Sequence, residues 1–264
     1  MDKKTVLIIG LEKQDVQAIK QQVGLGYIIL HYEMLPNIKL VSGTLFVESP
    51  SITDKYLPVD KVIFHGIFED DFDVLTMLTL WNGPCLPNAQ GMMDLRQRIP
   101  GLARALQVTK FGGIKRGMVI GVQDWLSHEE VVAKWGVWHC GDDKHKFKDT
   151  WTSTETSVIE PFIAGEAVRI MIIGDQYWQI QLTGDTWLKS IHSAGAKKME
   201  LDPELLEDSL AIARHFKLQA VGVDYMVGDN GERYLLEVNH IPNVTVFPFV
   251  NAAFKDFAVQ WVVS

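Results

Sequence analysis

The turn sequence Gly228-Asp229-Asn230-Gly231 constrains the fold of this chain more than any other feature. Two runs rich in β-branched and aromatic residues flank it, Val221–Val227 and Glu232–Asn239. Glycine, asparagine and aspartate tolerate the positive φ angles that a tight turn between antiparallel strands requires. The segment therefore predicts a β-hairpin near the end of the sequence.

Oxygen-bearing side chains lie on one face of this predicted hairpin. A register that pairs Val227 with Glu232 puts Asp224 opposite Leu235. The two-residue repeat of a strand then places three polar side chains on one face: Asp224, Glu237 and Asn239. Mg²⁺ binds one or two carboxylates and fills its remaining positions with water and substrate phosphate. The face therefore predicts a Mg²⁺ site, with Mn²⁺ as an alternative ion, whose metal arrives with a nucleotide.

The alternative is that these carboxylates are ordinary solvated strand residues, which are common on exposed faces. The neighbours of Glu237 in the sequence are apolar: Leu235, Leu236 and Val238. This pattern predicts a strand that is buried on both faces, where an unpaired carboxylate is costly. The metal-site interpretation is therefore favoured over the solvated one.

A second segment joins a short strand to a longer apolar strand through Ala164-Gly165 and carries Glu160, Glu166 and Arg169. These residues precede the hairpin that carries the predicted metal site. Because the motifs occur in this order along the chain, the sequence resembles the ATP-grasp superfamily. It is most similar to ribosomal-protein glutamate ligases, glutathione synthetases and D-alanine:D-alanine ligases. The resemblance extends from about Asn88 to Pro248 and is closest from Ile159 onward.

The resemblance implies an α/β fold in which two α+β lobes grip ATP. Residues 1–87 would form a small parallel-sheet α/β domain, because strands and helices alternate there and Gly and Pro residues follow at 83–87. Residues 88–264 would form the ATP-grasp domain, with a small lid lobe at about 107–157 and a large lobe at about 158–264. The predicted N-terminal elements are strands at Thr5–Gly10, Tyr27–Leu30, Thr44–Val47 and Val62–His65 and helices at Glu12–Gln22 and Asp71–Trp81.

Two helices are predicted within the ATP-grasp part. A helix from Met92 to Leu106 contains Pro100, which should kink or split it. Leu205 to Phe216 follows Asp202-Pro203-Glu204, which supplies an N-cap, a proline at the first helical position and an acidic first turn.

Site roles also follow from the resemblance. In the family, the strand that corresponds to the one carrying Glu160 is the hinge between the two lobes. This hinge strand would bind the adenine edge through the backbone of Glu160, Phe162 and Ile163. Glu166 would bind the ribose, and Leu236 would line the adenine pocket. The remaining implied residues fall into three groups: Lys134 binds the phosphates, Arg169 and Lys189 are catalytic with His192 beside them, and Asp224, Glu237 and Asn239 hold the metal.

Three departures from the family pattern stand out. Trp135 follows Lys134 where the family has proline, Pro161 follows the hinge glutamate where relatives often have lysine, and the glycine-rich phosphate loop is reduced to Gly136 and Gly141. A further family lysine also has no clear counterpart. Its candidate substitutes are Arg96, Arg98, Lys110, Lys115 and Arg116.

The segment Trp138–His145 contains His139, Cys140 and His145, which are possible soft-metal ligands, but paired Cys-x-x-Cys spacing is missing. A mobile lid is favoured over a zinc site, because a loop over reactive phosphates must open for substrate and close against water. Three lysines in and after this segment could reach toward phosphate, but a solvated charge run is the favoured interpretation: Lys144, Lys146 and Lys148.

Composition limits the partners. The 264 residues carry a net charge of −8, which disfavours a nucleic-acid surface. No apolar run reaches the length of a membrane span or a signal-peptide core, so a cytoplasmic protein is expected. Two cysteines, Cys85 and Cys140, are too few for a disulfide framework. Oligomeric state is open, although relatives are often dimers or tetramers.

The resemblance implies an ATP- and Mg²⁺-dependent carboxylate–amine ligase. In such an enzyme ATP phosphorylates a carboxylate, and an amine then displaces phosphate from the acyl phosphate. The substrates would be a small-molecule or peptide carboxylate and an amine. The alternatives are a nucleotide-binding module without ligase turnover and a kinase on the same scaffold.

Overall fold

The computed structural model describes residues 3–136 and 143–264. The N-terminal part contains seven strands and two helices: β1 (Lys4–Ile9), α1 (Lys13–Val23), β2 (Tyr27–Tyr32), β3 (Ile38–Val41), β4 (Thr44–Glu48), β5 (Tyr56–Pro58), β6 (Lys61–Phe64), α2 (Asp71–Trp81) and β7 (Cys85–Leu86). Four of these strands form a parallel sheet in the order β2-β1-β6-β7. The predicted parallel sheet is confirmed.

One predicted strand of that sheet lies elsewhere. β4 pairs with β3 and β5 in a separate antiparallel sheet. The reason is the turn between β3 and β4, in which Ser42 and Gly43 have φ angles of 48° and 79°. A two-residue turn of this kind joins antiparallel neighbours, whereas parallel neighbours need a crossover connection of about a dozen residues.

The predicted helix from Met92 to Leu106 is split into α3 (Ala89–Leu95) and α4 (Arg98–Ala105). The proline ring of Pro100 would clash with the carbonyl of Arg96, four residues earlier, so one helix cannot continue through this point. Pro100 itself lies in the first turn of α4, where its missing N–H removes no intrahelical hydrogen bond.

The small lobe is one antiparallel sheet in the order β10-β9-β11-β8. Its strands are β8 (Gly117–Val119), β9 (Asp124–Trp135), β10 (Lys144–Thr152) and β11 (Ser157–Pro161). β11, the predicted hinge strand, pairs with β9 and β8. The sheet of the small lobe therefore extends to Pro161, beyond the predicted lobe boundary near residue 157.

The large lobe contains an antiparallel sheet in the order β14-β13-β12-β15-β16 and two helices. Its elements are β12 (Gly165–Ile173), β13 (Gln176–Leu182), β14 (Lys197–Met199), α5 (Pro203–His215), β15 (Ala220–Gly228), β16 (Arg233–Asn239) and α6 (Pro248–Val263). The carboxylate of Asp202 accepts hydrogen bonds from the amides of Glu204 and Leu205, which confirms the predicted N-cap of α5. The division of the chain at residue 87 stays a prediction.

A buried carboxylate joins the large lobe to the segment before β8. Asp208, on α5, accepts hydrogen bonds from the Thr109 hydroxyl at 2.7 Å, the Lys110 amide at 2.6 Å and the Tyr225 hydroxyl at 2.8 Å. Tyr225 is fully buried on β15. Asp208 is itself buried and accepts from three donors, of which the Tyr225 hydroxyl is buried as well.

We expect Asp208→Ala to lower the free energy of unfolding by about 3 kcal/mol, because it leaves buried donors without an acceptor. Denaturant titration followed by circular dichroism measures the change. The adjacent Glu207→Ala is the matched control, since Glu207 is exposed and forms only a surface ion pair with Lys110. Equal losses in the two variants would contradict this assignment.

Cys85 is buried, and burial raises the pKa of its thiol to about 12. A thiol that stays protonated at neutral pH is a poor nucleophile. Cys140 lies outside the described residues. In the described part of the chain, no helix is long and apolar enough to cross a membrane.

Candidate functional site

A cavity of about 690 Å³ lies where the N-terminal part meets the small and large lobes. This volume is typical of sites that hold a small molecule or cofactor. All but one of the predicted site residues line it: Lys134, Glu160, Phe162, Ile163, Arg169, Lys189, Asp224, Leu236, Glu237 and Asn239. The exception is Glu166, which accepts a hydrogen bond from Gln181.

The acidic end of the cavity is built by β15 and β16. Asp224 lies directly opposite Glu237, and Gly222 lies opposite Asn239. Paired residues on antiparallel strands project from the same face, so the two carboxylates and the amide share one side of the sheet. We call Asp224, Glu237 and Asn239 the acidic cradle.

The register of this hairpin differs from the predicted one. Val227 pairs with Arg233, not with Glu232, because Glu232 belongs to the turn and its carbonyl accepts from the Gly228 amide. A β-bulge next to Asp224 then shifts the register by one more residue. A bulge adds one residue to one strand, and this shift replaces Leu235 by Glu237 opposite Asp224.

Cations already lie beside both carboxylates of the cradle. Arg169, on β12 opposite Asp224, donates to its two oxygens from Nε at 2.5 Å and from Nη2 at 2.8 Å. Burial disfavours the charged form of Arg169, but the charge and hydrogen bonds of the Asp224 carboxylate together outweigh burial and raise the pKa of the guanidinium. Lys144 Nζ lies 3.6 Å from Glu237 Oε2.

The donor set of the cradle fits Mg²⁺. Two carboxylates and an amide on adjacent strands leave coordination positions for water and phosphate oxygens. Asn239 Nδ2 donates to Asp224 Oδ2 at 3.3 Å, so the amide and this carboxylate meet within the cradle. Among residues 3–136 and 143–264, no group of three or more His, Cys, Asp and Glu side chains could hold a metal ion, and the cradle itself supplies two carboxylates and an amide. The zinc ligands considered at His139 and Cys140 lie outside the described residues.

A buried ion cluster supports the hinge. Glu160, only 2% exposed, forms ion pairs with Lys134 and with Arg116, whose Nε lies 2.6 Å from Glu160 Oε1. Arg116 also donates to the Leu235 carbonyl at 2.8 Å, which connects the small lobe to β16. Burial alone would raise the pKa of Glu160, but Lys134 and Arg116 hold it below its usual value.

None of the candidate substitutes for the missing family lysine lines the cavity: Arg96, Arg98, Lys110, Lys115 and Arg116. Arg96 forms a buried ion pair with Asp71. Arg98 donates to the carbonyls of Trp135 and Asp143 at 2.7 and 3.1 Å. Arg96 and Arg98 therefore each have structural partners within the protein.

The opposite end of the cavity is apolar. Phe162, Ile163 and Leu236 line it together with Trp187, whose ring packs edge-on against Phe162 at 6.4 Å between centroids. The Phe162 amide donates to the Glu130 carbonyl, so this N–H group is not free to bind a ligand. A planar apolar ring fits between such side chains.

The prediction of a solvated charge run on β10 is wrong for Lys144 and Lys146. Lys144 lines the cavity, and Lys146 Nζ lies 4.2 Å from the Phe162 ring centroid and 3.1 Å from Glu130 Oε1. Lys148 is exposed. Alternate residues of a strand share a face, and this face covers the cavity.

The third side of the cavity carries Lys189, His192, Asn243 and His65. Lys189 donates to the carbonyls of Gly184 and Thr186 at 3.3 and 2.9 Å. His65 follows β6, and burial lowers the pKa of its imidazole, so it is neutral at pH 7. Sequence reasoning missed Trp187 and Asn243, because neither belongs to a motif of its own.

No protein-family model and no curated protein matches this sequence. Among solved structures, the chain is similar to D-alanyl-alanine synthetase A from Vibrio cholerae, with 16% identity, a TM-score of 0.66 and coverage of 100% of this chain and 98% of that one. A Chryseobacterium gregarium RiPP-associated ATP-grasp ligase, in complex with ADP and a leader and core peptide, gives 14% identity, a TM-score of 0.62 and coverage of 98% and 97%. The ATP-grasp ligase PsnB, complexed with minimal precursor, Mg and ADP, gives 13% identity, a TM-score of 0.65 and coverage of 99% of this chain and 98% of that one.

These similarities cover 98–100% of this chain and so include the N-terminal sheet and both lobes. The fold of this protein is therefore that of the ATP-grasp superfamily.

Proposed function

We propose that this protein is an ATP-dependent carboxylate–amine ligase that uses Mg²⁺, or Mn²⁺ in its place, and forms an amide or peptide bond. The observation that carries the proposal is the cavity itself. It brings an apolar end, a set of lysine and arginine side chains and the acidic cradle together in one space of about 690 Å³. Structures with the same fold hold ADP and Mg, which supports the same ligands here.

Nucleotide binding is assigned to the two ends of the cavity. Phe162, Ile163 and Leu236 would hold the adenine ring, and Glu166 would reach the ribose. Lys134 would meet the phosphates, because a lysine ammonium acts on phosphate as a point charge. The cradle residues would hold Mg²⁺, which neutralises phosphate charge when it is bound.

The reaction needs no nucleophile from the protein. A substrate carboxylate attacks the γ-phosphorus of ATP and ADP leaves, which gives an acyl phosphate. An amine then attacks the acyl carbon and expels phosphate. Arg169 and Lys189 would stabilise negative charge that develops on the transferred group, because catalysis of this type is mainly positioning and electrostatic stabilisation.

Either a peptide or a small molecule can supply the carboxylate and the amine. Two of the similar ligases are complexed with peptide substrates, and the third is a D-alanyl-alanine synthetase. In this chain His65, His192 and Asn243 line the side of the cavity next to the cradle. We assign substrate binding to that side.

Nucleotide should stabilise the protein by mass action. We expect Mg²⁺ with ADP at about 100 times its Kd to add about 2.7 kcal/mol to the free energy of unfolding, and Mg²⁺ alone to add little. Differential scanning fluorimetry measures the shift, and Asp224→Ala should remove most of it. An unchanged midpoint at saturating nucleotide would exclude the proposed site.

Turnover is tested by coupled detection of ADP with panels of carboxylates and amines, followed by mass spectrometry. An amide product with stoichiometric ADP supports the ligase. Binding without ADP release in any combination would instead indicate a nucleotide-binding module. A stable phosphorylated product would indicate a kinase.

A further inference from the structure

Lys144 lies at the start of β10, directly opposite Lys134 in β9. Paired residues of antiparallel strands share a face, and both lysines line the cavity. The two ammonium groups have different partners. Lys134 is held by the buried carboxylate of Glu160, whereas Lys144 extends to Glu237 in the acidic cradle.

The contact between Lys144 and Glu237 is loose. Its distance of 3.6 Å exceeds that of a hydrogen bond, and the Lys144 side chain keeps 18% of its exposure. A lysine ammonium is a compact charge on a flexible stem, so a stronger anion can draw it away from Glu237. The structure thus leaves this cation able to change partners.

Among the described residues, each carboxylate of the cradle has a cation beside it. Asp224 faces Arg169, and Glu237 lies near Lys144. A divalent cation that enters alone meets both positive side chains at short range. A divalent cation that enters with a polyphosphate brings oxygen anions that Lys144 can accept as new partners.

We propose that Lys144 is a second phosphate-contacting residue of the small lobe. When nucleotide and metal bind together, the Lys144 ammonium moves away from Glu237 and contacts the nucleotide phosphates. This inference rests on the proposed function, because it takes ATP as the ligand. Lys144 thereby replaces part of a glycine-rich loop that this sequence has reduced to Gly136 and Gly141. It also makes the cradle a poor site for a metal ion without nucleotide.

The test compares wild type, Lys144→Met and the matched control Lys148→Met, which changes an exposed lysine on the same strand. Calorimetry gives the affinities for adenosine and for Mg²⁺ with the ATP analogue AMPPNP, and electron paramagnetic resonance gives the affinity for Mn²⁺ alone. We expect Lys144→Met to weaken AMPPNP binding about 10- to 100-fold, with unchanged adenosine binding, because a charge-assisted contact to phosphate is lost. The same variant should bind Mn²⁺ alone about 10-fold more tightly, because a positive charge has left the cradle.

Wild-type AMPPNP affinity in Lys144→Met, or equal losses for adenosine and AMPPNP, would overturn the role of Lys144. So would a Mn²⁺ affinity that is unchanged or lower in that variant. Lys144→Arg should recover most of the AMPPNP affinity, and Lys144→Gln provides a second neutral variant should the methionine variant fold poorly. A wild-type protein that binds neither adenosine nor AMPPNP would overturn the proposed function itself.

Discussion

The Glu237→Gln variant is expected to form ADP at least about 1000-fold more slowly than wild type, which corresponds to about 4 kcal/mol of lost transition-state stabilisation. Glutamine keeps the shape of the side chain but removes one of the two carboxylates of the acidic cradle. Glu237 lies directly opposite Asp224, so its loss leaves Asp224 as the remaining carboxylate of the cradle. Initial rates of ADP release at saturating ATP and Mg²⁺ measure the effect.

Glu232→Gln is the matched control for this prediction. Glu232 lies in the turn of the same hairpin, is exposed and hydrogen-bonds to Asn230 and Tyr234. Its variant should keep the wild-type rate. Full activity of Glu237→Gln would refute both the metal cradle and the ligase assignment, provided that circular dichroism shows a folded protein.

The Glu160→Gln variant is expected to lose about 3–5 kcal/mol of stability, because it leaves Lys134 and Arg116 as buried cations without their carboxylate. Both side chains are about one-tenth exposed, so water can compensate them only partly. The loss should appear as a lower midpoint in urea. Nucleotide affinity should fall as well, because Lys134 would no longer be held at the cavity wall.

The stability that Glu160 contributes should depend on pH. The folded pKa of Glu160 lies below the usual value of 4.5, so its stabilising effect is complete above that pH and is lost as pH falls through the lowered folded value. Glu160→Gln should therefore remove part of the acid sensitivity below about pH 4.5.

Glu130→Gln is the control in the same lobe, because Glu130 pairs with Lys146 but keeps 52% of its side chain exposed. Surface ion pairs of this kind contribute little, so we expect a small change. Similar losses for Glu130→Gln and Glu160→Gln would show that burial of the hinge cluster does not matter.

Local sequence patterns were sufficient to predict most of the elements. Helix α2 begins and ends as predicted, and α5 begins at its predicted N-cap. Three of the four strands of the parallel sheet, β1, β2 and β6, lie where apolar runs predicted them, whereas β7 was not predicted. These elements depend on periodicity, capping and turn residues, all of which act within a few positions of the chain. The choice of Asp224, Glu237 and Asn239 as one face also followed from a local pattern.

Pairing between distant segments decided the register of the hairpin and the contacts of the cradle. The bulge that sets Glu237 against Asp224 is a property of two strands together, and no single-strand pattern shows it. The bidentate contact of Arg169 with Asp224 and the approach of Lys144 to Glu237 depend on how β12 and β10 lie against the hairpin.

The sequence by itself thus determined which side chains are candidates for the metal-binding face, because residue type and strand periodicity are local. Only the tertiary structure decided which cation faces which carboxylate, because ion pairs form between side chains that are tens of residues apart. Lys144 shows the difference: within its strand it looks like one of three solvated lysines, and only the packing of the small lobe on the hairpin places it at the acidic cradle.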